Sequence, residues 1–369
     1  MNKKKGLVFC LFLFMLFIFC LNTGCQKQAW KGTISQENGV TVVKNTKEPL
    51  YTSDVFALEE ELAITEDLAG EEVIFSRIRS IDVDASGRIY ILEYGETRVY
   101  IFDEDGNFIQ SFGKKGQGPG ELNLAISMTI TPQKEIAVEN YRIGVNFYSL
   151  EGDFIREIKT VKEAPIRVSI DSRGNIFGIV IDQDEKNPRY EVRKFDPQMN
   201  RIDSFDSSPL PTVRGQGINP FGGSVVFSLR YDDYVISGSP ETYELHVFDP
   251  EGELVMKITK DYDPVEITKK EKDEVIKELE GMKLSIPKFH NAFSWFITDD
   301  EGRIFVSTFE KTDDGEGFYY DIFDRKGKFF AKIPLQTRPY LIKNKKFYTV
   351  EEDEQGFQCV KRYRVTWMY

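Results

Sequence analysis

The side chains able to do chemistry are few in kind. Two histidines, His246 and His290, supply all the imidazole of the 369-residue chain. A three-histidine zinc site is out of reach, and only a mixed site with carboxylates is open to a metal. His246 lies in the alternating run Tyr243-Glu244-Leu245-His246-Val247-Phe248, the pattern of a strand residue. No Gly-x-Ser-x-Gly elbow, His-Glu-x-x-His pair or Cys-x-x-Cys element occurs. Acids are the more plentiful resource. Asp182-Gln183-Asp184-Glu185 and Asp313-Asp314-Gly315-Glu316 are oxygen-rich, so Asp182, Asp184, Asp313 and Asp314 are the candidate ligands for Ca²⁺. Neither run has full EF-hand spacing, and solvated loops are the competing reading. No cofactor is otherwise expected.

Two further segments carry recognition chemistry. Glu93-Tyr94-Gly95-Glu96-Thr97-Arg98 and Glu139-Asn140-Tyr141-Arg142 read as a matched pair in neighbouring repeats. Tyr94, Glu96, Arg98, Asn140, Tyr141 and Arg142 are the candidate ligand contacts, with two guanidinium forks suited to one carboxylate or sugar. Ion pairs to Glu93 and Glu139 are the alternative use of those arginines. The run Gly113-Lys114-Lys115-Gly116-Gln117-Gly118-Pro119-Gly120-Glu121 invites comparison with a phosphate cradle, which needs a helix directly after it. The next residues, Leu122–Ile130, have the apolar, β-branched character of a strand, so a tight connection is expected.

Repeated hairpins must position these residues. Phe102-Asp103-Glu104-Asp105-Gly106-Asn107-Phe108 recurs at 248–254 and 323–329, with Ser149 replacing Asp at 148–154 and a degenerate copy starting at Phe195. Asp or Ser bonds the turn backbone and Gly takes the positive φ. A second hairpin precedes each: Asp84-Ala85-Ser86-Gly87-Arg88-Ile89-Tyr90, then 171–177 and 299–305, with weaker copies at 131–137, 234–236 and 342–348. Four short antiparallel strands recurring every 40–50 residues or so define an all-β, six-bladed β-propeller. The sixth unit ends one strand short. Its missing strand must come from the N-terminal side, from Val40–Val43 or Val55–Ile64, because an open edge invites aggregation. Strand order puts the Asp/Gly turns on one face and the irregular connections on the other, where function usually sits. One amphipathic helix interrupts the pattern between blades 4 and 5, within an insertion of about 263–290. Thr268-Lys269-Lys270-Glu271 is its capping box and Val275, Ile276, Leu279 and Met282 its apolar stripe.

The cadence Ile81-Asp82-Val83-Asp84, Gly87-Arg88-Ile89-Tyr90 and Gly116-Gln117-Gly118-Pro119-Gly120-Glu121 resembles NHL-like repeats, and more closely the bacterial six-bladed propeller lipoproteins. That resemblance covers residues 38–369 and implies the fold, without implying an activity.

The first segment is an address. Lys3-Lys4-Lys5 precedes an apolar run of fifteen residues, Leu7–Leu21, too short to cross a bilayer comfortably. Leu21-Asn22-Thr23-Gly24-Cys25 resembles a lipobox, with Asn22 where Leu is usual. Residues 1–24 are expected to be a signal peptide, Cys25 the lipidated residue, 25–37 a tether and 38–369 the propeller. Gln26 lacks the Asp that retains many lipoproteins at the inner membrane, which fits an outer-membrane location where the envelope has an outer membrane. With 48 basic and 60 acidic residues the net charge is −12, and loss of residues 1–24 removes three lysines to make it −15. Such a surface excludes a nucleic-acid binder and makes a lipid anchor the route to the membrane. The expectation is a monomeric, membrane-anchored module outside the cytoplasm that binds a peptide, glycan or protein. A calcium-dependent hydrolase or lyase with a carboxylate-lined channel is the alternative.

Overall fold

The computed structural model describes residues 29–369 except 53–54, 67–69, 71–72, 161–162, 184–187 and 214–216, so Cys25, the apolar leader and Asp184 lie outside the described residues. Most hairpin turns are held by their own aspartate, with the hydroxyls of Ser149 and Thr131 in that role in blade 2. Asp84 Oδ1 accepts from the amides of Ser86 (2.9 Å) and Arg88 (3.0 Å), and Asp299 Oδ1 from those of Glu301 (3.0 Å) and Arg303 (2.7 Å). Gly87 and Gly302 then turn the chain at φ of 90° and 80°. In the degenerate copy Met199 takes the glycine's place at φ 64°.

Three strands precede the repeats: β1 (Thr33–Glu37), β2 (Val40–Asn45) and β3 (Phe56–Ile64). Blade 1 is β4 (Ile78–Val83), β5 (Ile89–Glu93), β6 (Arg98–Phe102) and β7 (Phe108–Phe112). Blade 2 is β8 (Ala125–Ile130), β9 (Ile136–Asn140), β10 (Gly144–Tyr148) and β11 (Phe154–Lys159). Blade 3 is β12 (Ile166–Ile170), β13 (Ile176–Asp182), β14 (Arg189–Phe195) and β15 (Arg201–Pro209), after which β16 (Thr212–Val213) and β17 (Gly217–Ile218) form a minor ribbon. Blade 4 is β18 (Val226–Leu229), β19 (Val235–Gly238), β20 (Glu244–Phe248) and β21 (Leu254–Lys260). The helix α1 (Lys269–Glu278) comes next. Blade 5 is β22 (Trp295–Thr298), β23 (Ile304–Lys311), β24 (Phe318–Phe323) and β25 (Phe329–Leu335). Blade 6 is β26 (Pro339–Lys343), β27 (Lys346–Glu352), β28 (Gln358–Trp367) and, from the other end of the chain, β3.

Both N-terminal candidates are used, for different jobs. β3 runs antiparallel to β28, with Phe56 opposite Trp367 and Ile64 opposite Val360, and so closes the ring. Its acids face the bases of β28 and β27: Glu60 meets Lys361 at 3.1 Å, Glu59 pairs with Arg364, and Glu61 with Lys346. β2 instead lies parallel to β21 and, with β1, widens blade 4 to six strands. β1 thus occupies the second half of the segment expected to be tether.

The middle strands are the most buried: β5, β9 and β10 have no exposed residue, and Tyr90, Tyr148, Phe305 and Phe347 fill the layers between blades. Inner strands are latched by polar bonds. Asp82 on β4 accepts from the Ile130 amide of β8 (2.7 Å) and from Lys343 Nζ of β26 (3.3 Å), tying blades 1, 2 and 6. Ser228 of β18 bonds Thr298 of β22 at 2.7 Å.

The capping box forms as expected, Thr268 Oγ1 accepting from the Glu271 amide (3.2 Å) and the Thr268 amide donating to Glu271 Oε2 (2.8 Å). The apolar stripe of the helix is not buried against the ring. No residue of α1 is buried, and Ile276 and Met282 are half exposed, because the insertion docks by its two ends rather than by the helix. Ile267 and Lys288, then Val265 and His290, bond across its base. The Gly-rich connection is likewise closed on itself: Glu121 Oε2 accepts from the Gly118 amide at 2.9 Å and Glu121 pairs with Lys114 at 2.9 Å. A carboxylate of the chain fills the place an anion would take, and β8 comes after it.

Candidate functional site: an arginine-lined channel mouth

The chain enters each inner strand from the irregular face, so the first residues of β4, β8, β12, β18, β22 and β26 ring the channel there. In four of these strands the pairing slips after the first residue, between Ile78 and Ser80, Ala125 and Ser127, Ile166 and Ser169, and Pro339 and Leu341. A bulge frees a side chain from the sheet and re-aims it. Two of the freed residues are Arg79 and Arg167, the latter at φ 58°. Arg338 immediately precedes β26. Blades 3 and 6 are opposite in a six-membered ring, which sets Arg167 and Arg338 across the channel from each other.

Arg77 and Arg142 extend the group. The guanidinium carbons of Arg77 and Arg79 lie 5.5 and 5.1 Å from the centre of the Tyr94 ring, and that of Arg142 lies 5.1 Å from Tyr141. Arg338 lies 4.0 Å over Trp295. Aromatic faces hold these cations without neutralising them. Arg77, Arg79, Arg142, Arg167 and Arg338 are all exposed, and among the described residues none has a carboxylate partner. Arg167 is reached by water along the channel yet walled by protein. Burial lowers its pKa and the like charge of Arg338 lowers it further, together outweighing the attraction of the Glu139 carboxylate, which lies beyond ion-pair distance. Behind it, buried Glu139 accepts from Ser127 Oγ (2.6 Å) and the Val168 amide (3.2 Å), and burial raises its pKa. The opposite end of the channel is acidic. There Tyr231, open to water in the channel but walled by protein, sits among Asp82, Asp299 and Asp300; the surrounding protein and then these carboxylates raise its pKa.

Beside the mouth, between blades 2 and 3, opens a cavity of about 620 Å³ lined by Tyr141, Arg142, Glu163, Asp182 and Arg193. Arg193 is almost fully buried. It pairs with Glu163 at 2.7 Å, Asp182 at 3.3 Å and also Glu191. Burial opposes its charge, and the carboxylates of Glu163 and Glu191 outweigh that and raise its pKa. The open wall of the cavity therefore offers Arg142 and the Tyr141 hydroxyl.

The residues singled out in the sequence divide accordingly. Tyr94, Tyr141 and Arg142 belong to the mouth and its cavity. Asn140 is buried and accepts from the Asn123 amide at 3.0 Å, shaping the loop. Glu96 is exposed beside Tyr94, and its amide donates to Glu93. Arg98 is not the counterpart of Arg142. It pairs opposite Glu93 as the first residue of β6 and donates outward to Ser111 Oγ at 3.2 Å, whereas Arg142 occupies the loop centre at φ 59°. Neither arginine binds Glu93 or Glu139. Glu93 accepts instead from Ser76 Oγ (2.6 Å) and the Arg77 amide (2.7 Å). Asp182 is held by Arg189 at 3.0 Å as well as by Arg193. Asp314, two blades away, accepts from Thr312 Oγ1, and from the Glu316 amide at 3.0 Å, which lowers its pKa; Asp313 lies beside the Tyr319 hydroxyl. Among the described residues no three Asp, Glu, His or Cys side chains gather where a metal ion could sit. Both histidines are engaged, His246 by Asp206 (2.7 Å) and Glu244 (2.6 Å), and His290 by Glu271 (3.2 Å).

Turn-based matching of the repeats misses the arginines at the mouth, but one signal in the sequence marks them. Ile78-Arg79 and Ile166-Arg167 open equivalent inner strands, so aligning the repeats by strand rather than by turn exposes the recurrence.

A family model described as a 6-bladed beta-propeller matches residues 68–357. No curated protein matches the chain. Among solved structures, a Bacteroides fragilis protein named as exported is 12% identical, covers 88% of this chain and 99% of its own, and superposes with a TM-score of 0.59. A DUF4221 member from Bacteroides vulgatus is 12% identical, with 85% and 99% covered and a TM-score of 0.53. At these identities the likeness is one of fold. Among the described residues no helix is long and apolar enough to cross a membrane.

Proposed function

The chain belongs to the DUF5128 family of 6-bladed beta-propellers, and from that premise we propose a binding module, held outside the cytoplasm by a lipid on Cys25, that takes a carboxylate-bearing peptide or glycan, free or on a protein, at its arginine-lined face. One observation carries the reading. An acidic protein concentrates five exposed arginines, free of carboxylate partners among the described residues, around one channel mouth. Planar guanidinium forks held over aromatic rings are suited to carboxylates, and clustering them costs the free protein mutual repulsion that an anion relieves.

The address at the start of the chain, and the exported Bacteroides fragilis neighbour, support the location; Gln26 favours the outer membrane. Trp30 is pinned to the ring through Asn45 at 3.0 Å, and the five steps from Cys25 to Trp30 span at most about 18 Å. A lipid there would hold the rim of blades 4 and 5 near the bilayer and leave the arginine face open.

Calorimetric titration with poly-glutamate and with polygalacturonate tests the reading and separates peptide from glycan. At least one should bind, more weakly as salt rises, and Arg167→Gln and Arg338→Gln should each weaken it about tenfold, equivalent to about 1.4 kcal/mol. No binding of either polymer, or unchanged binding in the double variant, would refute it. The competing function, a calcium-dependent hydrolase or lyase, predicts instead a calcium-specific rise in Tm.

A further inference from the structure

A second cavity, of about 280 Å³, lies between blades 4 and 5. Its floor is the buried carboxyl of Asp321 on β24. Asp321 Oδ2 accepts from the Tyr243 hydroxyl and pairs with Lys260 Nζ at 3.1 Å, and that ammonium is sandwiched 5.0 Å from the Tyr243 ring and 4.7 Å from Phe329. Asp321 is only 1% exposed, and among the described residues its buried Oδ1 has no hydrogen-bond partner. A buried acceptor left unpaired costs about 1–3 kcal/mol, so the position calls for a donor. Such orphans are few in folded proteins and ask for an explanation.

The walls specify the donor's chemistry. Lys47 pairs with Asp263, Lys260 with Asp321 and Lys332 with Glu310, three cations against three anions, so the lining is charge-balanced and favours a neutral guest. Phe309 and Tyr262 supply aromatic surface, and His290 stacks on Phe309 at 4.3 Å with the rings 9° from parallel, which fixes the Phe309 ring. Asn291 and Thr308 add amide and hydroxyl groups at the rim. The two ends of the insertion, through Tyr262 and Asn291, form the outer wall, which gives the docking of that segment by its ends a purpose.

We propose that this cavity binds a neutral polyhydroxylated ring, a single sugar residue, whose hydroxyl donates to Asp321 Oδ1 while a ring face lies on Phe309. The volume suits one ring: cavities for drug-sized ligands run from about 300 Å³ upward, and this one falls just below that range. The proposal goes beyond the anion-binding face, uses none of its residues, and survives if that reading fails.

The test is saturation-transfer NMR on the full-length protein in detergent, with glucose, galactose, mannose and N-acetylglucosamine each at high millimolar concentration. A Tm measurement is run alongside. At least one sugar should give a transfer signal and raise Tm. Phe309→Ala should weaken it about tenfold or more, as should Asp321→Asn, and poly-glutamate should not displace it. Phe309→Ala decides alone if Asp321→Asn does not fold. The proposal is overturned if none of the four binds, if binding is unchanged in the folded variants, or if poly-glutamate displaces the sugar.

Discussion

Asn45 offers the sharpest test of how the N-terminal segment is built into the ring. Its side chain, 3% exposed, makes four hydrogen bonds that join three parts of the chain. Nδ2 donates to the carbonyls of Gly327 (2.9 Å) and Thr259 (3.1 Å), and Oδ1 accepts from the Phe329 amide (2.7 Å) and Trp30 Nε1 (3.0 Å). Asn45→Ala removes all four. The bonds to Gly327 and Phe329 are fully buried, and stranding those two groups costs about 1–3 kcal/mol each. Thr259 and Trp30 are nearer solvent and can recover water, so each adds about 0.5–1 kcal/mol. The expected loss is about 3–8 kcal/mol, a large share of the 5–15 kcal/mol or so of a typical domain. Urea unfolding followed by tryptophan fluorescence measures it, and hydrogen exchange should quicken at the Phe329 amide. Asn45→Asp keeps the oxygen that accepts from the Phe329 amide and Trp30 Nε1 but turns a second oxygen toward the carbonyls of Thr259 and Gly327. It should be worse at neutral pH and recover as the pH falls and the carboxyl protonates. A loss below about 1 kcal/mol for Asn45→Ala, or an unchanged Phe329 exchange rate, would refute the reasoning.

Two further outcomes are expected. Burial raises the Glu139 pKa above the ordinary 4.5, so the folded state holds this proton more tightly than the unfolded one. Stability should therefore fall as pH rises from about that value through the raised one, and Glu139→Gln should flatten this segment of the pH–stability curve; an equally steep curve in the variant would contradict it. Starting the chain at residue 48 removes β1 and β2 but leaves the ring closed, and should give a destabilised monomer. Starting it at residue 66 removes β3 as well and exposes the β28 edge, so size-exclusion chromatography should show aggregates; a monomer with an unshifted melt would overturn the closure.

Much of the architecture is written locally. An Asp-x-x-Gly turn needs only its own carboxylate and a glycine, as at Asp84 and Gly87, so its copies can be counted without knowing what packs on them. The same holds for the capping box at Thr268 and for the strand character after Gly120. Even ring closure is within reach, because Glu59-Glu60-Glu61 is the charge complement of Lys361-Arg362-Tyr363-Arg364.

What tertiary structure decided is which side chains share a space. Arg98 and Arg142 look alike along the chain, but hairpin register sends one outward to Ser111 and leaves the other over the cavity. Arg167 and Arg338 are more than 150 residues apart in sequence and meet across the channel only because six blades close into a ring. Asp182 reads as a metal ligand until Arg189 and Arg193 come beside it. Asp321, Lys260 and Tyr243 carry no motif at all, and their cavity exists only where blades 4 and 5 abut. The physical reason is common to these cases. Turn and strand preferences are summed over neighbours in sequence, whereas the charge and hydration of a side chain depend on neighbours in space, which closure of the ring alone supplies.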